Sequence, residues 1–463
     1  MSAQGFPDPF VDGIARGWRV TDGAALAAGK TFEADVAIVG TGAGGGTTAE
    51  LLAAAGLKVI LLEEGGLRST RDFRMLESEA YPTLYQESAS RKTKDKGINI
   101  MQGRTVGGTT VVNWTSSFRT PASTLAHWQE HFGLTDLTTA ELTPWWEAME
   151  TRLQIAPWAA TPNRNNQLLA DGLTKLGITP QVIPRNVVGC FNIGYCGMGC
   201  PTNAKQSMLV TTLPAALDRG AELLYHARAE RLVFDGNTVR EIVVTLMGND
   251  GFQRVRDAVR VRARHVVLAG GAINTPALLL RSGAPNPRGL IGKRTFLHPV
   301  TISPALFATP VDAFSGAPQS IYSDHFNEAS DAGIGFKLEV PPLHPVLMGS
   351  TFTGIGAEHA SIMRRLRQAQ VVLALLRDGF HPESVGGAVE LRDDGSPVLD
   401  YPVSSYVMEG ARRAMTMMAE IQFAAGAQVI IPFHERGTPV RTLASAKAQI
   451  AALELRTPHA RMV

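Results

Sequence analysis

The chain has 463 residues, 44% of them hydrophobic and 19% charged, with a formal net charge of +2, the balance of a compact globular protein of about two domains. That balance gives no electrostatic footprint for nucleic acid, and no apolar run reaches the roughly 20 residues that a membrane-spanning helix needs. No basic stretch followed by an apolar one opens the chain, so no secretory signal is visible and a cytoplasmic location is expected; three cysteines, a low and odd count, argue against a disulfide-stapled scaffold.

Residues 34–66 read as strand, glycine-rich turn, helix and strand. Asp35 to Val39 is a short apolar strand, Gly42 to Ala55 a helix of small and apolar residues, and Lys58 to Leu62 a second buried strand. Residues 67–100 are polar and mixed, with the charge cluster from Arg91 to Lys96, and read as a surface excursion. A helix is predicted to start at Thr143-Pro144, with Thr as cap and Pro at the first helical position. Another is predicted over 204–217. Residues 221–268 alternate apolar and polar around a turn at Asp235-Gly236-Asn237, the pattern of antiparallel strands. His265 to Ala269 is a strand and the segment after Gly271 a helix. From about residue 295 the chain becomes rich in Pro, Gly and strands, with an amphipathic helix near 360–377, and a domain change is placed there. The division is 1–294 and 295–463, with residues 67–100 covering the ligand of the first part. No internal repeat is present.

Gly40-Thr-Gly42-Ala-Gly-Gly45 fits the dinucleotide fingerprint GxGxxG. It follows a strand and opens a helix, and Glu63 ends the next strand, which is the context the motif requires. Gly40 permits the tight turn, Gly42 lets backbone approach a pyrophosphate, and Gly45 lets helix and strand pack closely. The helix N-terminus offers free N–H groups to phosphates, and the Glu63 carboxylate can accept ribose hydroxyls. By itself the motif does not separate FAD from NAD.

The segment Gly103-Arg-Thr-Val-Gly107-Gly108-Thr-Thr-Val-Val-Asn113-Trp114-Thr115-Ser-Ser-Phe118-Arg-Thr-Pro121 resembles the first signature of the glucose–methanol–choline (GMC) family of flavin oxidoreductases. Gly271-Ala-Ile-Asn-Thr-Pro-Ala-Leu-Leu-Leu-Arg-Ser-Gly283 resembles the second, departing only at its end, where Ala284-Pro285 follows. The resemblance covers roughly residues 34–435. It implies an α/β fold: a Rossmann-like FAD-binding domain and a second, α+β substrate domain on an antiparallel sheet. It also implies FAD as cofactor and oxidation of a CH–OH group. Gly103, Gly107 and Gly108 are implicated beside the cofactor, and Asn113, Trp114 and Thr115 at the isoalloxazine.

Moving a hydride from an alcohol carbon to flavin requires a base for the hydroxyl proton, and a neutral His near the flavin is the usual one. In GMC enzymes it lies in a segment resembling Ser-Ala-His-x-Met-Gly-Gly, which these 463 residues lack; they stop immediately before it. His298, His344, His359, His381, His434 and His459 remain, without the flanking pattern. No catalytic residue is therefore assigned, and the chain as written is expected to be catalytically incomplete.

Trp145, Trp146 and Trp158 read as core residues rather than a sugar-stacking surface. The basic, apolar stretch from Met363 reads as a solvated face over a packed one, with a membrane surface as the alternative. The apolar run from Pro341 to Gly349 leans towards an aliphatic substrate. Together with Gly199-Cys-Pro-Thr-Asn-Ala-Lys-Gln-Ser207, which looks like long-chain alcohol oxidases and the large subunits of gluconate and glucose dehydrogenases, it points to a hydrophobic, long-chain primary alcohol. The alternatives are a sugar dehydrogenase passing electrons to a partner, periplasmic by co-export with a signal-bearing small subunit, or a flavin-binding fragment.

Cys190, Cys196 and Cys200 are the only cysteines, spaced C-x5-C-x3-C among glycines. The spacing resembles that of glucose dehydrogenase large subunits, where it implies three ligands to a three-iron four-sulfur cluster. Free thiols, one disulfide, packed thiols and a zinc site with a fourth ligand stay open.

Overall fold

The computed structural model describes residues 6–27, 29–248, 253–328, 333–352, 354–456 and 462. Seven strands form the larger sheet: β1 (Arg19–Asp22), β2 (Thr31–Val39), β3 (Val59–Leu62), β4 (Glu222–Tyr225), β5 (Ala227–Asp235), β6 (Thr238–Met247) and β7 (Arg254–Leu268). They lie in the order β1-β4-β3-β2-β7-β6-β5. Contacts from β1 to β7 are parallel, whereas β5, β6 and β7 form an antiparallel meander. All four residues of β3 are buried, as a parallel strand covered on both faces requires. The turn predicted at Asp235–Asn237 joins β5 to β6. Glu222–Tyr225, read as antiparallel, pairs parallel with β1 and β3 instead.

Helix α1 (Ala43–Ala54) follows β2 directly. Helix α2 (Thr139–Leu153) starts a turn before the predicted site. Thr138 is its cap, accepting from the Glu141 N–H at 3.1 Å, and Pro144 lies in its second turn. The Thr143 hydroxyl instead donates to the Thr139 carbonyl, which removes it from the capping role. No residue of α2 is buried and Trp145 is 68% exposed, so the core reading of Trp145 is corrected. The helix expected over 204–217 shrinks to Thr212–Asp218, because residues before it bond elsewhere: the Met208 N–H donates to Thr110 Oγ1 at 3.1 Å.

Helix α3 (Arg164–Lys175) and helix α4 (Gly271–Arg281) precede the second sheet. That sheet holds β8 (Val300–Leu306), β9 (Phe336–Glu339), β10 (Ala369–Leu376) and β11 (Val429–Ile430), antiparallel throughout and ordered β9-β10-β8-β11. The amphipathic helix expected near 360–377 is corrected here. Only Ala357–Met363 and a short turn are helical, and Val371 to Leu376 belongs to the buried strand β10. β-branched residues at Val371 and Val372 fit a pleated surface better than a helix. Helix α5 (Pro345–Thr351) and helix α6 (Ser405–Ala424) complete this half. α6 packs on one sheet face, where Ser303 Oγ donates to Gln422 Oε1 at 2.6 Å and Gln422 Nε2 reaches Gln370 Oε1 at 3.3 Å. Among the described residues no helix is long and apolar enough to cross a membrane.

Residues 67–100 are not a surface excursion. Glu77, Leu84, Tyr85, Arg91 and Ile98 are all buried. Glu77 reaches into the second half, accepting from the N–H groups of Val346 at 2.7 Å and Leu347 at 2.8 Å, so one carboxylate caps α5, which has no capping side chain of its own. Glu77→Ala leaves two N–H groups without acceptors, each deficit being about 1–3 kcal/mol. The expected result is a melting midpoint lower by several degrees; an unchanged thermal scan would show that water replaces the cap at no cost.

Candidate functional site

The turn between β2 and α1 is shaped by what its glycines cannot be. Gly40 has φ +99°, a region that side chains strain to enter. A Cβ on Gly45 would run into the Gly40 carbonyl oxygen. Gly42, the cap of α1, differs: a Cβ there would meet nothing nearer than Gly108 Cα at 3.9 Å. It opens onto a cavity of about 470 Å³ whose wall includes Gly40, Gly42, Glu63, Gly103 and Gly108. Gly45 and Gly107 support this wall from behind. The second glycine-rich segment closes on the first, since a Cβ on Gly108 would lie 2.7 Å from Gly42 Cα. Gly107 has φ +93°, and a Cβ on Gly103 would lie 2.7 Å from Thr109 Cα.

Glu63 is 6% exposed. Its Oε2 accepts from the Thr41 hydroxyl at 2.5 Å and the Thr41 N–H at 3.2 Å, and its Oε1 accepts from the Gly65 N–H at 2.9 Å. Thr41 Oγ1 in turn accepts from the Gly107 N–H at 3.0 Å, so one hydroxyl ties the carboxylate to the second glycine turn. Burial pushes the Glu63 carboxyl up to about 7 against these hydrogen bonds. Its neighbour Glu64 behaves oppositely: burial raises it, but Arg104 and Arg228 outweigh burial and hold it below the usual range.

Arg91 also lines the cavity. Its guanidinium bonds Glu87 at 2.9 Å, Gln102 at 2.8 Å, Gln86 at 3.1 Å and Asn274 at 3.2 Å. The charge cluster at 91–96 conceals it in sequence, because its partners lie partly on α4. Asn274 and Thr275, from the second resembling segment, share the same wall.

Asn113, Trp114 and Thr115 do not line this cavity. Thr115 is buried with φ +69°, an unusual conformation for a β-branched residue. Its hydroxyl donates to the Trp114 carbonyl at 2.6 Å and accepts from Arg185 Nε at 2.7 Å. The buried Asn113 Oδ1 and Trp114 Nε1 have no protein partner. Beyond this turn, Phe118 meets the second half: Lys337 Nζ lies 3.5 Å from its ring centroid.

Lys337 and Glu339 alternate with Phe336 and Leu338 along β9, so they face away from α6. Register places Val300 and Ile302 of β8 and Leu373 and Leu375 of β10 on that same face. Glu339, which sequence reasoning missed, is 3% exposed and accepts from Gln319 Nε2 at 2.8 Å; burial pushes it up to about 7.

The three cysteines are free and half-buried. Among the described residues, no group of three or more His, Cys, Asp or Glu side chains is placed to hold a metal ion. The ligand set read from the spacing of Cys190, Cys196 and Cys200 is thus not assembled. Each sulfur has its own local partner: the Asn192 N–H at 3.4 Å, Arg185 Nη2 at 3.6 Å and the Thr202 hydroxyl at 3.5 Å, respectively.

These candidate histidines are dispersed. His434 bonds the Glu454 carbonyl and the Arg436 N–H; His359 bonds the Gly349 carbonyl. His381 stacks on Tyr406, and the buried His344 packs against Tyr195. His298 precedes β8 and is an exposed residue, although the atoms packed around its ring lower its basicity. His459 lies outside the described residues.

Comparison with known proteins agrees with this architecture. Residues 81–300 match the family model described as GMC oxidoreductase. An uncharacterized GMC-type oxidoreductase of Mycobacterium tuberculosis is 33% identical over 414 residues, covering 89% of this chain and 63% of the relative. Another, from Sinorhizobium fredii, is 30% identical over 403 residues, covering 87% and 76%. The long-chain-alcohol oxidase FAO1 of Arabidopsis thaliana is 26% identical over 419 residues, covering 88% and 54%. The chain thus spans between about half and three quarters of these relatives' lengths. Formate oxidase of Aspergillus oryzae shares the fold with a TM-score of 0.60 at 13% identity, over 86% of this chain and 82% of that one. Pyridoxine 4-oxidase does so with a TM-score of 0.57 at 16% identity, over 93% and 82%. With a relative 30% identical matched over 76% of its length, and both glycine segments folded against one cavity, the chain belongs to the GMC oxidoreductase family of flavoproteins.

Proposed function

We propose that this chain binds FAD and serves the oxidation of a hydrophobic, long-chain primary alcohol. The observation that carries the cofactor reading is the cradle at Gly42, where a Cβ would fill space bounded by a helix N-terminus and Glu63. In this reading the N–H groups opening α1 bind the pyrophosphate, and Glu63 accepts the ribose hydroxyls. Asn113, Trp114 and Thr115, which the family resemblance sets at the isoalloxazine, orient that ring in this reading. FAD, when bound, supplies the hydride acceptor. Residues 1–294 form the FAD-binding part and 295–463 the substrate part, each with its own large sheet, while α3 crosses the division to pack on α6.

The substrate reading rests on the sheet face carrying Val300, Ile302, Leu373 and Leu375, which points away from α6 and shares Lys337 with Phe118. Such a face holds an alkyl chain and excludes water from the reacting carbon. Lys337 and Glu339 at its edge strand are polar enough to meet a hydroxyl. Each buried CH₂ contributes about 0.8 kcal/mol, so the affinity of the FAD-loaded chain for alcohols, read from perturbation of the flavin spectrum and needing no catalytic base, should rise roughly fourfold per added carbon, from butanol to dodecanol, until the face is covered. Binding of glucose or gluconate with no dependence on alcohol chain length would overturn this reading in favour of a sugar dehydrogenase.

A further inference from the structure

Two positive charges are buried behind the Asn113–Thr115 turn. Arg185 is 0% exposed and Lys205 2%, and among the described residues neither pairs with a carboxylate. Arg185 donates through Nε to Thr115 Oγ1 at 2.7 Å and through Nη2 to the Trp114 carbonyl at 3.2 Å, while its buried Nη1 has no partner. The Trp158 ring lies 4.8 Å from its guanidinium carbon. Lys205 Nζ donates to the carbonyls of Val111 at 2.7 Å, Asn113 at 2.6 Å and Cys196 at 2.7 Å. Burial pushes the Lys205 ammonium down to about 8, partly offset by the nearby Cys196 and Cys200.

Burying a charge without a counter-charge is costly by several kcal/mol per ion. Carbonyl dipoles soften that cost for Lys205 but cannot cancel the charge, and Arg185 has one unused donor nitrogen. Such a pair is explicable if negative charge develops within its reach. We infer that Arg185 and Lys205 are electrostatic positioning residues that, through the Val111–Thr115 backbone, stabilise the negative charge that reduction places on the bound flavin ring. The inference rests on the reading of Asn113, Trp114 and Thr115 as ring contacts. A two-electron reduction with one proton taken up at N5 leaves one negative charge on the ring, and two fixed cations favour that state over the neutral oxidised one.

The test uses the FAD-loaded chain and sulfite, which adds to flavin N5 and leaves the ring anionic without needing any substrate base. Wild type should bind sulfite more tightly than free FAD does. Lys205→Met and Arg185→Met should each weaken sulfite binding about tenfold, with a midpoint potential lower by the equivalent ~30 mV for a two-electron couple. Lys205→Arg, which keeps the charge, should restore most of both. The inference is overturned if flavin-loaded variants keep the wild-type affinity and potential, or if Lys205→Arg is as impaired as Lys205→Met. It is also overturned, without any variant having to fold, if wild type binds sulfite no better than free FAD. If the cations serve the Cys196 thiol instead, Lys205→Met will slow alkylation of Cys196 and leave sulfite binding unchanged, which equally overturns it. A wild-type chain that takes up no FAD at all would count against the cofactor reading.

Discussion

Gly42→Ala and Gly45→Ala, three residues apart on one turn, are expected to fail in different ways. The Gly45 methyl would collide with the Gly40 carbonyl oxygen, a backbone atom that cannot swing aside. Gly40 is itself fixed at φ +99° against β7, where its own Cβ would strike the Ala269 carbonyl. Overpacking of this kind typically costs about 1–3 kcal/mol, and here it falls on the joint between β2 and α1. Gly45→Ala should therefore lower the melting temperature of the flavin-free protein. The Gly42 methyl meets no protein atom closer than 3.9 Å, and its backbone, at φ −68°, suits alanine. Gly42→Ala should fold normally, yet FAD affinity should drop by roughly tenfold to a hundredfold, because charge-assisted hydrogen bonds worth about 1.5–3 kcal/mol each are held off by the methyl. Melting curves of the apoproteins and fluorescence titration with FAD check both halves. Equal melting points, or an unchanged affinity for Gly42→Ala, would show that the phosphates do not rest on this turn.

FAD binding should also depend on pH through Glu63. In the flavin-free fold burial raises its carboxyl to about 7 from an ordinary 4.5, so the native state holds a proton between those values that an unfolded chain has released. The sign follows: the penalty for burying the ionised form is absent below about 4.5, grows as pH rises towards 7, and is constant above it. Ribose hydroxyls donating to the carboxylate favour the ionised form, so below about pH 7 FAD must expel a proton as it binds. Affinity should weaken by up to tenfold per pH unit as pH falls below 7, and be flat above it. Glu63→Gln should abolish this slope, and Glu63→Ala should weaken binding at pH 8 by about tenfold or more for each hydrogen bond lost. Titrations between pH 5.5 and 8.5 check this; a slope of opposite sign, or one that survives in Glu63→Gln, would place the proton elsewhere.

The parts of this site that are legible in sequence are those built from local constraint. Gly40, Gly42 and Gly45 are readable because a strand, a turn and a helix follow in order, and each glycine answers a backbone demand within a few residues. The Gly103–Gly108 turn is readable through its pattern, and its close approach to Gly42 leaves no room for a Cβ at Gly108. What sequence does not reveal depends on distant partners. Arg91 looks solvated until Gln102 and Asn274 surround it. Glu339 looks like an ordinary polar position on a strand until β10 and Gln319 enclose it. Val371 to Leu376 fits a helix as well as a strand by hydrophobicity alone, and only β8 and β9 on either side settle it. Spacing alone leaves the cysteines open between free thiols and a shared ligand set, and in the structure all three are free.

The Glu77 cap has a consequence for how the two halves communicate. Glu77 belongs to the same run of chain as Gln86 and Arg91, which form part of the cofactor cavity wall, while its carboxylate holds the first turn of α5. Residues 77–91 are thus one covalent run between the cavity wall and α5, and any coupling between occupancy of the cavity and order in α5 is expected to pass through it. Linkage makes this reciprocal for binding. A ligand that settles against α5 should raise the affinity for FAD by the same factor by which FAD raises the affinity for that ligand, and Glu77→Ala should uncouple the two without touching either site.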